Sequence, residues 1–494
     1  MNYFMILYLL GLVCIIQSCS MLLPVAVGIF YGENEWKAYA FVAAVSLVVG
    51  LAFSLKKPKS NVFYAKEGFV TVALSWIVLS LCGAVPFVLT KEIPSYVDAV
   101  FEAASGFTTT GASILTNVEA LSQTSLFWRS FTHWIGGMGV LVFLLAVVPL
   151  TGGHTMQLMR AESPGPSVGK FVPKVRQTAF ILYSIYFAMT ILEIVLLLAG
   201  GMPWFDSICT AFGTAGTGGF AIKNASIGFY HSFYLQGVVT VFMILFAVNF
   251  TVYYLLLAKK FKQAFKNEEL WWFLGIIAFS VLCITLNIRN SCYGGRTYEA
   301  FHNAAFSVAS VISTTGYSTA DFAKWPQLSQ FILFILMFIG ASAGSTGGGM
   351  KVSRLVLLLK SSAREISTIL HPRSVKAVKL DKKRVDPAVV KNTASFFVIA
   401  MLVYVISVLI VSFDEFDMTT TMTAVAATMN NIGPGLSLVG PTGNFSAFSN
   451  LSKVVMIIDM LAGRLEYFPI LVLFTPAIWK DGFSALRRKL LNRR

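Results

Sequence analysis

Charge is scarce in this sequence. Asp, Glu, Lys and Arg together make up 12% of 494 residues, and the 23 acids are outnumbered by 38 lysines and arginines. The longest polar stretch runs only over residues 351–391, which leaves no room for a separate catalytic or nucleic-acid-binding domain in water. Histidine is equally sparse, and His133, His154, His231, His302 and His371 show no metal-ligand spacing. The six cysteines contain no C-x-x-C pair. Cys14, Cys19, Cys82, Cys209 and Cys283 sit in or beside apolar segments, where cysteine acts as a small hydrophobe, and Cys292 stands apart without an evident partner. The glycine run at 344–349 continues as Met350-Lys351-Val352, so it lacks the Gly-Lys-Ser/Thr of a phosphate-binding P-loop. No nucleophile, metal set or acid–base pair emerges, and an enzyme is not expected.

What the sequence has instead is apolar surface. Hydrophobic residues reach 56% and mean hydropathy is +0.72, against roughly 45–50% apolar residues in soluble domains. Windows of about 20 apolar residues, enough for ~30 Å of hydrocarbon, fall at 3–30, 38–55, 67–89, 125–150, 178–198, 232–258, 270–288, 329–360, 393–413 and 451–478. Ten spans are predicted. The first window has no basic flank and no clear cleavage site, so it reads as a retained helix. Residues 56–66, 160–176, 259–266, 351–391 and 480–494 carry 4, 4, 4, 11 and 6 of the basic residues and all fall on one side of the ten-span topology. Basic loops stay cytoplasmic, which places both termini there. The same loops, next to membrane lipids, account for the +15 net charge without nucleic acid as a partner.

On the opposite side lie shorter apolar stretches of roughly 10–14 residues, too short to cross, and they share a pattern. Tyr96 through Phe107 runs into Thr108-Thr109-Thr110-Gly111, and Phe205-Asp206 runs into Thr217-Gly218-Gly219. Asp98 and Asp206 each precede the turn glycine by thirteen residues, and that spacing selects Gly219 over the alternative Gly216. A third copy ends at Thr314-Thr315-Gly316 and a fourth at Asn431-Ile432-Gly433. The glycines recur at intervals of 108, 97 and 117 residues, so one unit of span, short helix, glycine turn and span occurs four times. The predicted fold is an all-α polytopic membrane protein. Its parts are a two-helix region at 1–60 and four units around one pore at 61–160, 161–265, 266–375 and 376–494.

Successive copies enter the membrane in the same sense and can surround an axis along its normal. Irregular backbone is tolerated at membrane depth where it lines a cavity, and carbonyls there can replace the water shell of a cation. Glycine reaches positive φ at little cost, and threonine adds a hydroxyl. Each short helix should aim its partly negative C-terminus at the pore centre. The acids Asp98, Glu102, Glu119, Asp206, Glu299, Asp321, Asp414, Glu415 and Asp417 are expected at the mouth, concentrating cations. Pro434 predicts extended geometry at Gly433, and the fourth copy lacks the threonine before its glycine.

The window 329–360 is too long and is interrupted by Gly340, Gly344, Gly347, Gly348 and Gly349, which predicts two half-helices joined by an intramembrane loop. Gly344, Ser345, Thr346, Gly347, Gly348 and Gly349 are the candidate gate. Arg464 lies mid-span, where a cation is costly, and is expected to face the pore or the carbonyls of that loop, with Asp459 and Glu466 able to neutralise it. Glu193 reads as a helix-end acid.

The turns Thr-Thr-Gly-Ala (109–112), Thr-Gly-Gly-Phe-Ala (217–221), Thr-Thr-Gly-Tyr-Ser (314–318) and Asn-Asn-Ile-Gly-Pro-Gly (430–435) resemble the four filters of the Trk/Ktr/HKT potassium transporter superfamily. The likeness is greatest to its bacterial Trk-type membrane subunit. It extends to Glu162-Ser163-Pro164-Gly165-Pro166, the glycine run at 344–349 and Gly463-Arg464-Leu465-Glu466-Tyr467-Phe468-Pro469. The resemblance implies potassium uptake across the bacterial inner membrane, K+ held at the filter residues, a homodimer, and a cytosolic ring of regulatory subunits that bind NAD or ATP. No cofactor bound by the chain itself is expected. A proton- or sodium-coupled symporter with alternating access is the other reading, since broken helices can also build a substrate site.

Overall fold

A computed structural model describes residues 1–55, 65–147, 175–373 and 376–476. The Glu162 to Pro166 run and the basic tail at 480–494 lie outside these residues, as do most of the basic stretches 56–66 and 160–176. Regular structure in the described chain is helical apart from a two-stranded hairpin, Lys379–Leu380 with Lys383–Arg384.

Helices α1 (Tyr3–Tyr31) and α2 (Trp36–Ser54) form an antiparallel pair. The Asn2 side chain caps the first, and Gly32 closes it in the left-handed conformation. Backbones approach closely where Gly11 meets Gly50: a methyl on either would fall 2.8 Å from the other's carbonyl oxygen, which is small-residue packing of membrane helices.

Four similar units follow. The first is α3 (Ala65–Leu89), α4 (Tyr96–Phe107) and α5 (Gln123–Val147). The second is α6 (Val175–Ala199), α7 (Trp204–Gly216), and α8 (Phe233–Ala247) with α9 (Phe250–Leu257). The third is α10 (Glu268–Ser291), α11 (Thr297–Ile312), and α12 (Gln327–Ile339) with α13 (Val352–Leu370). The fourth is α14 (Pro387–Val411), α15 (Met418–Met429), and α16 (Asn450–Arg464) with α17 (Phe468–Leu473). Six described helices are long and apolar enough to span a bilayer, or seven when α8 and α9 count as one bent span. The chain is a multi-pass membrane protein.

The closing helix of a unit is where sequence and structure part. The glycine run does separate two half-helices, α12 and α13. But the windows 232–258 and 451–478, read as single spans, are also broken: α8 and α9 meet at 91°, and Glu466 and Tyr467 at φ 58° and 63° divide α16 from α17. Among the described residues α5 runs unbroken to Val147. Burial is reversed with respect to a soluble protein. Val398, Leu402, Val405, Ile406 and Leu409 of α14 are exposed, facing lipid, while the short helices are buried, as the run from Ala99 to Phe107 shows.

Candidate ion pathway

Each short helix ends in the same hydrogen-bonded turn. The amides of Thr109, Thr217, Thr314 and Asn431 bond three residues back at 3.0–3.2 Å, and those of Thr110, Gly218, Thr315 and Ile432 bond five residues back at 2.8–2.9 Å. This is the Schellman pattern, which needs a left-handed residue just past the helix. Here that residue is Thr109 (φ 55°), Thr217 (54°), Thr314 (60°) and Asn431 (56°). Two residues on, Gly111, Gly219, Gly316 and Gly433 take φ of 80°, 77°, 86° and 93°. In the second copy Gly216 ends the helix and Gly219 occupies the turn. Pro434 does not hold Gly433 in extended geometry, because glycine without a Cβ can adopt the mirror-image region open to few other residues. Asn431 replaces the missing threonine with a residue that enters the left-handed region more readily.

The four turns close a ring. A methyl at Gly111 would fall 2.0 Å from the Gly218 carbonyl oxygen, at Gly219 1.9 Å from that of Thr315, at Gly316 2.0 Å from that of Ile432, and at Gly433 2.8 Å from that of Thr110. Each glycine thus abuts the carbonyl just before the glycine of the next copy, in the order one, two, three, four and back to one. Asn431 Nδ2 donates to Thr110 Oγ1 at 2.9 Å across the fourth junction. Thr109 Oγ1 and Asn431 Oδ1 are buried without a hydrogen-bond partner among the described residues. Such polar atoms are costly unless water or an ion meets them. A cavity of about 150 Å³ lies on the side of the residues that follow the turns, lined by Ala112, Ser113, Phe220, Asn224, Ser318 and Pro434.

A smaller chamber of about 100 Å³ is walled by Gly344, Ser345, Thr346, Gly347, Gly348 and Gly349 together with Tyr186, Phe250, Lys351 and Arg464. The glycine loop is bonded to the second, third and fourth copies, and through Arg464 to the first. Ser342 N donates to Ala247 O at 3.1 Å and Phe250 N to Gly344 O at 3.0 Å, so the loop fills the break between α8 and α9. Gly348 N donates to Thr314 Oγ1 at 2.6 Å, a direct bond to the third turn. Arg464 donates to Thr346 O at 2.8 Å and to Gly136 O of α5 at 2.7 Å. Lys351 Nζ donates to Gly347 O.

Several residues lie elsewhere than the sequence implied. Glu466 pairs with Arg354, whose guanidinium also stacks 3.9 Å over Phe396. Asp459 accepts from Ser407 at 2.8 Å, so these two acids are engaged away from Arg464. Glu102 is not at a solvated mouth but buried against Arg129 at 2.7 Å. Asp98 pairs with Lys453 at 2.6 Å, linking the first and fourth copies. Glu193 is fully buried in α6, not a solvated helix end. Three participants, Glu269, His133 and Arg129, were not assigned from the sequence. Glu269 in the first turn of α10 accepts from Ala343 N at 2.7 Å and Ser353 N at 3.0 Å, holding both ends of the glycine loop. His133 sits between the first and second turns, accepting from Phe220 N at 3.2 Å. Arg129 carried a usable signal, an ionisable residue inside an apolar window. Among the described residues no three His, Cys, Asp or Glu side chains group as a metal site.

The TrkH family model, described as a cation transport protein, matches residues 34–481. This chain belongs to the TrkH family. Among its relatives, the Trk system potassium uptake protein TrkH of Halomonas elongata is 34% identical over 487 residues, covering 97% of this chain and 100% of that protein. TrkH of Escherichia coli K12 is 35% identical over 488 residues with the same coverage. The crystal structure of the potassium transporter TrkH from Vibrio parahaemolyticus superposes with a TM-score of 0.87 at 33% identity, covering 97% of this chain and 100% of that one. A TrkH-family fold with membrane cation transport as its function follows for the chain as a whole.

Proposed function

We propose that the chain carries potassium into a bacterial cell across the inner membrane through a gated, carbonyl-lined pore, with both termini in the cytoplasm. Thr109, Thr110, Gly111, Thr217, Gly218, Gly219, Thr314, Thr315, Gly316, Asn431, Ile432 and Gly433 are the filter in this reading, one triplet from each of the units at 61–160, 161–265, 266–375 and 376–494. The observation that supports it most is the closed ring of glycine–carbonyl approaches, because four copies that bring their turn backbones together at the C-termini of four helices can offer carbonyls to a dehydrated monovalent cation. The loop from Gly344 to Gly349, tied by Arg464, is the gate. A homodimer working with a cytosolic ring of NAD- or ATP-binding subunits would set its opening; the relatives' names support potassium uptake as part of a Trk system.

The test is ion preference in reconstituted vesicles. Gly316→Ser places a Cβ about 2 Å from the Ile432 carbonyl oxygen in a left-handed backbone. It should slow potassium uptake and lower preference over sodium. A folded, inserted Gly316→Ser protein with unchanged preference would remove the filter assignment.

A further inference from the structure

The second turn is the one the sequence leaves most free. Gly216, Gly218 and Gly219 fall within four residues, and glycine loses more backbone freedom on ordering than any other residue. Beyond the two backbone bonds that close it, its own copy supplies little side-chain support: Thr217 Oγ1 bonds only the adjacent Gly216 carbonyl at 2.6 Å among the described residues. Support arrives from neighbouring copies and converges on Phe220, which directly follows the turn.

Phe220 is buried and held at three points. Its N–H donates to His133 Nε2 at 3.2 Å. Because Nε2 accepts, the ring proton resides on Nδ1, which donates to Gly106 O of α4 at 2.9 Å, so the imidazole is neutral and fixed in one tautomer. Its carbonyl lies 3.4 Å from Tyr317 Oη of the third copy, a long hydrogen bond beside the firmer one from Tyr317 Oη to Thr210 O at 3.1 Å. Its ring lies under the Arg129 guanidinium, with Cζ 4.1 Å from the centroid.

Arg129 is itself immobilised. Its Nε donates to Glu102 Oε1 at 2.8 Å, Nη2 lies 2.7 Å from the same oxygen and donates to Ser113 Oγ at 3.4 Å, and Nη1 donates to Ala221 O at 3.3 Å. Glu102 Oε2 accepts from Ile114 N at 3.0 Å. One buried ion pair therefore touches the strand leaving the first turn at Ile114 and the strand leaving the second at Ala221. A charge pair withdrawn from water is a poor source of net stability but fixes geometry, since neither partner can move without leaving the other unpaired. The third and fourth turns are held to their neighbours by neutral groups, Tyr317 and Asn431.

We propose that Arg129, Glu102 and His133 act as positioning residues that clamp Phe220, and that this clamp determines ion preference by fixing the carbonyls of the second turn. The inference rests on the filter reading above and extends it to residues that touch no ion. The guanidinium face and the aromatic ring are the specific elements, because lysine preserves the charge opposite Glu102 but not the planar stack or the reach to Ala221.

The experiment uses the full-length protein in vesicles, with potassium, rubidium and sodium uptake measured for Arg129→Lys, Phe220→Leu, Phe220→Tyr and Gly316→Ser. Melting temperature and elution in detergent establish that each is folded. Arg129→Lys and Phe220→Leu should lower potassium-over-sodium preference by roughly thirtyfold, the scale of a desolvated cation–π contact, while Phe220→Tyr, which keeps the aromatic face, retains it. A purely structural role would change protein yield and melting temperature but leave the preference intact. If Gly316→Ser alters preference while Arg129→Lys and Phe220→Leu do not, the clamp is overturned and the filter stands. If none of the variants alters it, both readings fall.

Discussion

Thr109, Thr217 and Thr314 pay for their place with backbone strain, because a β-branched residue in the left-handed region crowds its own carbonyl. Asn431 holds the same conformation with less penalty, which supplies an internal control. Thr109→Asn should raise thermal stability by about 1 kcal/mol, since Thr109 Oγ1 makes no hydrogen bond among the described residues that would be lost. Melting curves in detergent will show this, and a parallel loss of potassium flux would mean that the hydroxyl meets the ion. Farther from the ring, Asp417 caps α15 through Thr420, whose hydroxyl and N–H donate to it. The bond to the Thr420 side chain, first among its causes, holds the Asp417 carboxyl below the usual carboxylate range. A depressed acid stabilises the fold above its unfolded value, and the contribution disappears as pH falls through the folded one. Wild type should therefore lose more melting temperature on acidification below about pH 4 than Asp417→Asn, which has no such carboxylate to protonate.

The first two short helices were legible because Asp98 and Asp206 each stand thirteen residues before a turn glycine, the third and fourth because Thr-Thr-Gly and Asn-Ile-Gly turns repeat the period. The half-helices around residues 344–349 were legible because glycines mark them. The other two breaks had fainter marks. At 248–249 there is neither glycine nor proline. Asn249 starts α9 by accepting from Thr251 N at 2.9 Å, a cap hidden in an apolar window. At α17, Pro469 in the first turn was the available sign of a fresh helix start. Glu269 was invisible for another reason: its partners are main-chain amides 74 and 84 residues away, which no local pattern encodes. Buried charge-assisted bonds of this kind are each worth roughly 1.5–3 kcal/mol. Glu269→Gln should loosen the glycine loop and increase potassium flux several-fold in vesicles lacking any cytosolic partner. Normal insertion with reduced flux would assign the loop a supporting role instead of a closing one.

Across the whole molecule, Glu269 connects that loop to the basic surface around the hairpin. Its neighbour Glu268 pairs with Lys360 of α13, and the Glu268 N–H donates to Asp381 Oδ1 at 2.7 Å, tying α10 to the hairpin at 379–384. Lys379, Lys382, Lys383 and Arg384 are exposed there. An acidic partner would reach them through salt-sensitive attraction and could pull on the loop through α10 and α13. Replacing Lys376, Lys379, Lys382, Lys383 and Arg384 with glutamine should weaken co-purification of a cytosolic subunit and blunt nucleotide-dependent flux. If both survive, the positive-inside rule alone explains the charge. The closed order of the ring has a further consequence for how the protein is made. The junction between the last copy and the first joins Asn431 to Thr110, Phe445 to Ser113 and Lys453 to Asp98. Membrane chains are built from the N-terminus, so the first turn must wait, lacking one neighbour, until the fourth copy has been synthesised. A ribosome that stalls early leaves an arc instead of a circle, and an arc has no four-sided passage through which the cell could lose its ions.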